Sequence, residues 1–161
     1  MRLNGSKHYR HRSLALVGMF LIVAIGFAVL ERPRLFYPDC TEVKAQQTVS
    51  LPIAELRPGT ARTFCYRDAD GHVIRFIVAR DFDGVVHSAF DACRSCFEYN
   101  LGYRLSGADM VCRFCGHRYK LKDMATGMAS CVPIRLPHFV FSNTVQIKVA
   151  DLEAGRRLFP D

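Results

Sequence analysis

The residues with the clearest chemistry are cysteines. Of the seven in the chain, five fall between Asp91 and Cys131, in DACRSCFEYNLGYRLSGADMVCRFCGHRYKLKDMATGMASC. Two Cys-x2-Cys pairs, Cys93/Cys96 and Cys112/Cys115, are separated by fifteen residues, and Cys131 follows after fifteen more. Thiolate sulfur is a soft ligand, and two intervening residues let one short turn present both sulfurs of a pair to the same ion or cluster. Cys115 is followed by Gly116, which suits a turn with positive φ, where a Cβ would clash. Such a turn also aims backbone N–H groups at the sulfurs and stabilises thiolate charge. Three occupants suit this spacing: an iron–sulfur cluster on Cys93, Cys96, Cys112 and Cys115, a structural Zn²⁺ on the same four sulfurs, or a soft ion such as Cu(I) on a subset of them. Spacing taken alone points first to zinc, the commonest use of the pattern. Cys131 stays open as a replacement ligand, a ligand to a second metal, or a small buried residue.

Other reactive side chains give weaker signals. Cys112-Arg-Phe-Cys115-Gly116-His117 is one residue away from the Cys-x-x-Cys-His haem-attachment motif, and the intervening Gly116 breaks it. His117 is near enough to tune or ligate a metal, but a surface histidine after a turn is the commoner case. His72 and His87 read as strand-edge residues and His138, after Pro137, as exposed. Phe97, Tyr99 and Tyr103 lie between the pairs and either shield a metal from water or pack a hairpin. Asp91 is placed to accept a hydrogen bond in the first cysteine turn. Cys40 and Cys65 lie outside the constellation. An oxidising compartment would allow them to pair, but Cys40 falls in a linker-like stretch, which leaves Cys65 as an ordinary buried strand residue. Ser88 and His87 are adjacent, so in a strand they point to opposite faces. With no Gly-rich phosphate loop and no His-Glu-x-x-His motif in the sequence, an autonomous hydrolase is disfavoured.

The elements that must position these residues read as short strands. Thr48–Leu56 and Ala61–Asp68 flank a Pro58-Gly59 turn, and Asp70-Gly71 is a hairpin signal. His72–Arg80, HVIRFIVAR, is apolar on both faces at its centre and is expected to be buried. Asp83-Gly84 turns the chain into VVHSAF. Gly102–Leu105, Met110–Cys112 and Arg118–Leu121 follow as strands in the cysteine region. Val132–Phe141 and Val145–Val149 form a late pair around Ser142-Asn143, and Asp151 is expected to cap a short final helix weakened by Gly155. The expected fold class is mostly β, with α+β as the variant, in one small domain with a two-knuckle cysteine metal site.

Ahead of that domain the organisation changes. Residues 1–13 form a basic leader. Residues 14–30, LALVGMFLIVAIGFAVL, are seventeen uncharged, largely apolar residues, near the lower limit of about 17–25 for a bilayer-spanning helix. The expectation is an uncleaved transmembrane anchor, with a cleaved signal peptide as the alternative because Gly26-Phe27-Ala28 is a passable small-x-small site. Positive charge before the span places the N-terminus in the cytoplasm and the rest outside. Residues 31–47 read as a linker and 48–161 as the exported metal-binding domain. Formal net charge is +7 from 22 basic and 15 acidic residues; without the leader's Arg2, Lys7, Arg10 and Arg12, 18 basic residues remain and the balance is +3. No Lys/Arg cluster is interleaved with aromatics, which argues against nucleic-acid binding.

At this level of detail the sequence resembles the FtrD-like membrane iron–sulfur proteins of bacteria, over roughly residues 48–161. The resemblance is carried in order by Asp70-Gly71, VIRFIVARDFDG, AFDACRSC, Gly102-Tyr103, MVCRFCG, Cys131 with Pro133, and IKVADLEAG. Around the fifth cysteine the family reads Gly-Gly-Cys-Asn-Pro, whereas this chain reads Ala129-Ser130-Cys131-Val132-Pro133. The resemblance implies an iron–sulfur cluster rather than zinc. It further implies a membrane-anchored electron-transfer or metal-handling subunit of bacterial iron uptake, working beside an iron permease and periplasmic metal-binding or redox proteins. The implied location is the inner membrane, single-pass, with the domain facing the periplasm or exterior, and the implied role is a carrier rather than a complete enzyme. Two other readings stand beside it: a zinc-ribbon interaction module at the membrane surface, and thiol–disulfide exchange at Cys93-x-x-Cys96, which would want a helix N-terminus and a thioredoxin-like βαβ unit.

Overall fold

The computed structural model describes residues 40–124, 126 and 131–160. The basic leader and the apolar span 14–30 lie outside the described residues, and no helix among the described residues is long and apolar enough to cross a membrane. Eleven short strands follow in order: β1 (Thr41–Val43), β2 (Thr48–Pro52), β3 (Thr60–Arg67), β4 (Val73–Arg80), β5 (Val86–Cys93), β6 (Tyr103–Ser106), β7 (Asp109–Cys112), β8 (Arg118–Lys120), β9 (Pro133–Arg135), β10 (Phe139–Phe141) and β11 (Thr144–Lys148). A single turn and a half of α-helix, α1 (Val149–Glu153), closes the series. The domain is mostly β.

Three sheets form. The central one runs β1-β3-β4-β5-β9, and two three-stranded sheets, β10-β11-β2 and β6-β7-β8, lie on either side of it. This layering explains the composition of β4. Its even positions Ile74, Phe76 and Val78 join one core with Val49 and Leu51 of β2, Val145 and Ile147 of β11, and Leu152 of α1. Its odd positions Ile77 and Ala79 join a second core with Ala89, Cys93, Tyr103, Met110, Cys112 and Tyr119. A strand with a neighbour on both faces needs apolar side chains at every position, and β4 has them except at Arg75 and at its last residue, Arg80. Phe64 stacks on Phe76 with ring centroids 5.5 Å apart, which fixes the β3–β4 register on the first face.

Three expectations from the sequence need correction. Regular structure is already present ahead of Thr48, because β1 pairs in parallel with β3 inside the stretch that reads as a linker. That pairing brings Cys40 to Cys65, with Cα atoms 5.6 Å apart and a disulfide between them, so Cys65 is cross-linked and not merely packed. The run 132–141 is two strands in two sheets. β9 adds to β5, whereas β10 pairs with β11, and Pro137 sits in the break, where it interrupts no ladder. Finally, α1 starts at Val149, and Lys148 occupies the N-cap position without a side-chain hydrogen bond. Asp151 therefore lies within the helix and does not cap it.

Candidate metal centre

Each cysteine pair straddles the end of a strand. Cys93 ends β5 and Cys112 ends β7, and Cys96 and Cys115 lie in the turns beyond. In the first turn the Cys96 N–H donates to the Cys93 sulfur at 3.0 Å. In the second, the Gly116 N–H donates to the Cys112 carbonyl at 3.0 Å and the Cys112 N–H to the His117 carbonyl at 2.9 Å. Gly116 adopts φ +74°, the left-handed conformation its turn requires. The antiparallel pairing of β6 with β7, Tyr103 opposite Cys112, lays the second turn over the first.

Cys131 arrives through a different element. β9 pairs with β5 so that Pro133 lies opposite Cys93, with a register shift between Ala89 and Cys93. Two residues before Pro133, Cys131 thus enters the space between the two turns. Its sulfur is 2.9 Å from Cys93, 3.0 Å from Cys115 and 3.6 Å from Cys96. The structure brings all five free cysteines together, and Cys131, ambiguous in the sequence, is their hub. The sulfurs of Cys93, Cys96, Cys112 and Cys131 lie within 4.8 Å of one another. Cys93, Cys112 and Cys131 are buried, whereas Cys115 is exposed at the edge of the group.

Thiols packed this closely do not titrate alike. Burial would raise the Cys93 thiol, but hydrogen bonds from Cys131 and Cys96 and from the Ser95 and Cys96 backbone outweigh it and pull it down. The bond to Cys131 lowers Cys115. Burial, then the bond to Cys93, pushes Cys96 up to about 12, and burial raises Cys131 further. Without a cation the group can carry only part of its negative charge. A bound metal reverses that logic and deprotonates its thiol ligands outright.

Donor type and spacing fit a resident metal. Four thiolates at about 2.3 Å from one tetrahedral ion stand about 3.8 Å apart, inside the observed envelope, and four cysteines are also the usual anchor of an iron–sulfur cluster. The surrounding side chains are held independently of any ion. Tyr103 donates its hydroxyl to the Cys131 carbonyl at 3.1 Å and so fixes that peptide. Arg113 donates to the Tyr103 carbonyl at 2.9 Å. Tyr99 and Phe114, one from each side of the site, stack at 3.7 Å between centroids and are both exposed, whereas Phe97 packs against the opposite core.

Asp91 does something other than accept a bond in the cysteine turn. It is 1% exposed and accepts from the Arg75 Nε at 3.2 Å and the Tyr103 N–H at 2.7 Å. Burial pushes its carboxyl up to about 6 against the lowering effect of Arg75. Gly102, at φ +64°, is required here because a Cβ would sit inside the Asp91 carboxylate. Arg75 also donates to the Asn100 carbonyl at 2.9 Å and its side-chain oxygen at 2.7 Å. This pair ties β4 and β5 to the loop that leads into β6, and a lone arginine inside an otherwise apolar strand was the signal for it.

The described histidines lie outside the sulfur group. His117 is exposed, its ring 5.0 Å from that of Tyr119. His87 bonds Asp81 at 2.8 Å. His138, expected to be exposed, is half-buried with Nδ1 2.7 Å from the Ser88 hydroxyl. That hydroxyl donates to the Leu136 carbonyl, so His138 is no base to it. Cys93 ends a strand rather than starting a helix, so it lacks the helix N-terminus that commonly activates a thiol for disulfide exchange.

The layered β fold and the group of five cysteines, three of them buried, mark a small metal-binding protein. The family described as membrane iron-sulfur containing protein FtrD-like matches residues 56–159, and the chain belongs to it. No curated protein sequence matches the chain. Among solved structures, the ferredoxin of carbazole 1,9a-dioxygenase from Nocardioides aromaticivorans IC177 is similar at 20% identity and a TM-score of 0.40, over 63% of this chain and 97% of that one. The quaternary ammonium Rieske monooxygenase CntA, in complex with an inhibitor, is similar at 19% identity and a TM-score of 0.41; the match spans 65% of this chain and 31% of that one. Likeness at this level carries no functional argument.

Proposed function

We propose that the chain is a membrane-anchored iron–sulfur protein that passes single electrons within a bacterial iron-uptake system, at the outer side of the cytoplasmic membrane beside an iron permease. The observation that carries this reading is the convergence of five cysteine sulfurs on one largely buried point, in a chain whose family is described as membrane and iron–sulfur. The Cys40–Cys65 disulfide in the same domain supports an oxidising compartment. Free thiols in such a compartment survive when a metal holds them.

When bound, an iron–sulfur cluster supplies a one-electron couple. The protein's residues supply the rest. Cys93, Cys96, Cys112 and Cys131 form the mutually close set, and Cys115 lies at the open edge. Tyr103 and the Asp91–Arg75 pair hold the strands from which the sulfurs project. The exposed Tyr99–Phe114 stack links the turn after Cys96 to the turn between Cys112 and Cys115.

Metal and acid-labile sulfide analysis of the anaerobically purified full chain tests the cofactor. Iron with sulfide is the expected result. Zinc without sulfide would overturn it in favour of a structural zinc module, a reading that the compact four-sulfur envelope favours. The uptake role is tested separately by growth under iron limitation: cells carrying Cys93→Ser should grow more slowly than wild type, and equal growth would reject the role.

A further inference from the structure

One polar atom in the buried cluster that holds the sulfurs has no hydrogen-bond partner in the metal-free arrangement. Tyr119 stands on β8 opposite Met110 of β7. It is 6% exposed and belongs to the same buried cluster as Cys93, Cys112 and Cys131. Its hydroxyl is buried and meets no hydrogen-bond partner among the described residues. Native proteins rarely leave a buried hydroxyl unsatisfied, because it has lost water and gained nothing. Its neighbour Tyr103 shows the usual outcome, a hydroxyl donated to the Cys131 carbonyl. A phenol O–H is a donor, and Tyr119 shares its buried cluster with Cys93, Cys112 and Cys131, whose sulfurs become strong acceptors once they are metal-bound thiolates.

We propose that Tyr119 is a positioning residue of the metal centre, its O–H reserved for a sulfur of the loaded site, either a ligand thiolate or inorganic sulfide. The inference rests on the cysteines being a thiolate metal site, and holds for zinc as well as for iron–sulfur. A hydrogen bond to a charged acceptor is stronger than one between neutral groups. Donation to sulfur also offsets the negative charge added on reduction, which raises the potential of a redox-active centre. Tyr119 thus costs the metal-free fold a little and stabilises the loaded one.

The test uses the full chain in detergent, with Tyr119→Phe and Tyr103→Phe beside wild type, each loaded and stripped. Metal content of the wild type comes first: no bound metal overturns the metal-site reading itself. If wild type binds metal, stripped Tyr119→Phe should melt at or above the stripped wild type. Loaded Tyr119→Phe should release metal to a competing chelator on the order of tenfold more readily. If the centre is iron–sulfur, its potential should also move to more negative values. Tyr103→Phe, which removes a bond made in both states, should lower both melting points. Two results would overturn the Tyr119 inference while leaving the metal site standing. One is equal metal retention in Tyr119→Phe. The other is equal destabilisation of its stripped and loaded forms, as a buried water on the hydroxyl would cause.

Discussion

The two faces of the central sheet are built by opposite means. One face carries Phe64, Phe76, Phe90, Leu152 and Phe159 in an apolar core, with the Arg75 guanidinium against its rim over the Phe159 ring. The other carries Cys93, Cys112 and Cys131 beside a buried Arg75–Asp91 pair and two tyrosines. The Cys40–Cys65 disulfide marks the edge of that sheet where β1 meets β3. The first face is complete as it stands, since burial of apolar area is its own driving force. The second gathers groups that repel or remain unsatisfied until a cation joins them. A chain of this size can therefore fold on one face and reserve the other for chemistry.

The comparison is open to attack by mutation. Phe76→Ala on the apolar face should cost about 3–5 kcal/mol, measured by denaturant unfolding. If the faces are independent, that cost is the same with and without metal, and a large difference would break the division. Cys40→Ser opens a loop with a sequence separation of 25 and should cost about 2–4 kcal/mol, while metal content stays unchanged. Metal loss in that variant would mean that sheet edge and metal site are one unit. The smallest effect concerns Asp81, whose carboxyl is held below its usual 3.8, chiefly by the bond from His87. A depressed acid contributes stability above its unfolded value and loses it as pH falls through the folded one. Asp81→Asn should therefore trail wild type near neutrality and close the gap below about pH 4, read as melting temperature against pH. A gap independent of pH would remove Asp81 as a source of acid sensitivity.

What was legible in the sequence was local. The paired cysteines, the two-sided strand around Phe76 and the turns at Asp70-Gly71 and Asp83-Gly84 are each specified by a few adjacent residues. What stayed hidden depends on partners distant in the chain. β1 is three residues long, and its strand character comes from lying beside Phe64–Tyr66. Asp91 looks like a turn residue until Arg75, sixteen positions away, is placed against it. Val132–Phe141 reads as one strand because β propensity does not record a change of sheet. Cys131 becomes the hub through the shifted β5–β9 register, which no spacing rule expresses. The family resemblance supplied the metal's expected identity; the geometry of the site did not.

That register also fixes a sequence of events in synthesis. β5 emerges with Cys93 already at its end, but its outer edge stays open until Pro133–Arg135 has been made and docked. The same docking carries the hub cysteine into place. A chain stalled before β9 would present two sulfur turns and an unpaired strand edge, a form both prone to aggregate and unable to close around metal. Sealing the sheet and completing the donor set are thus one event.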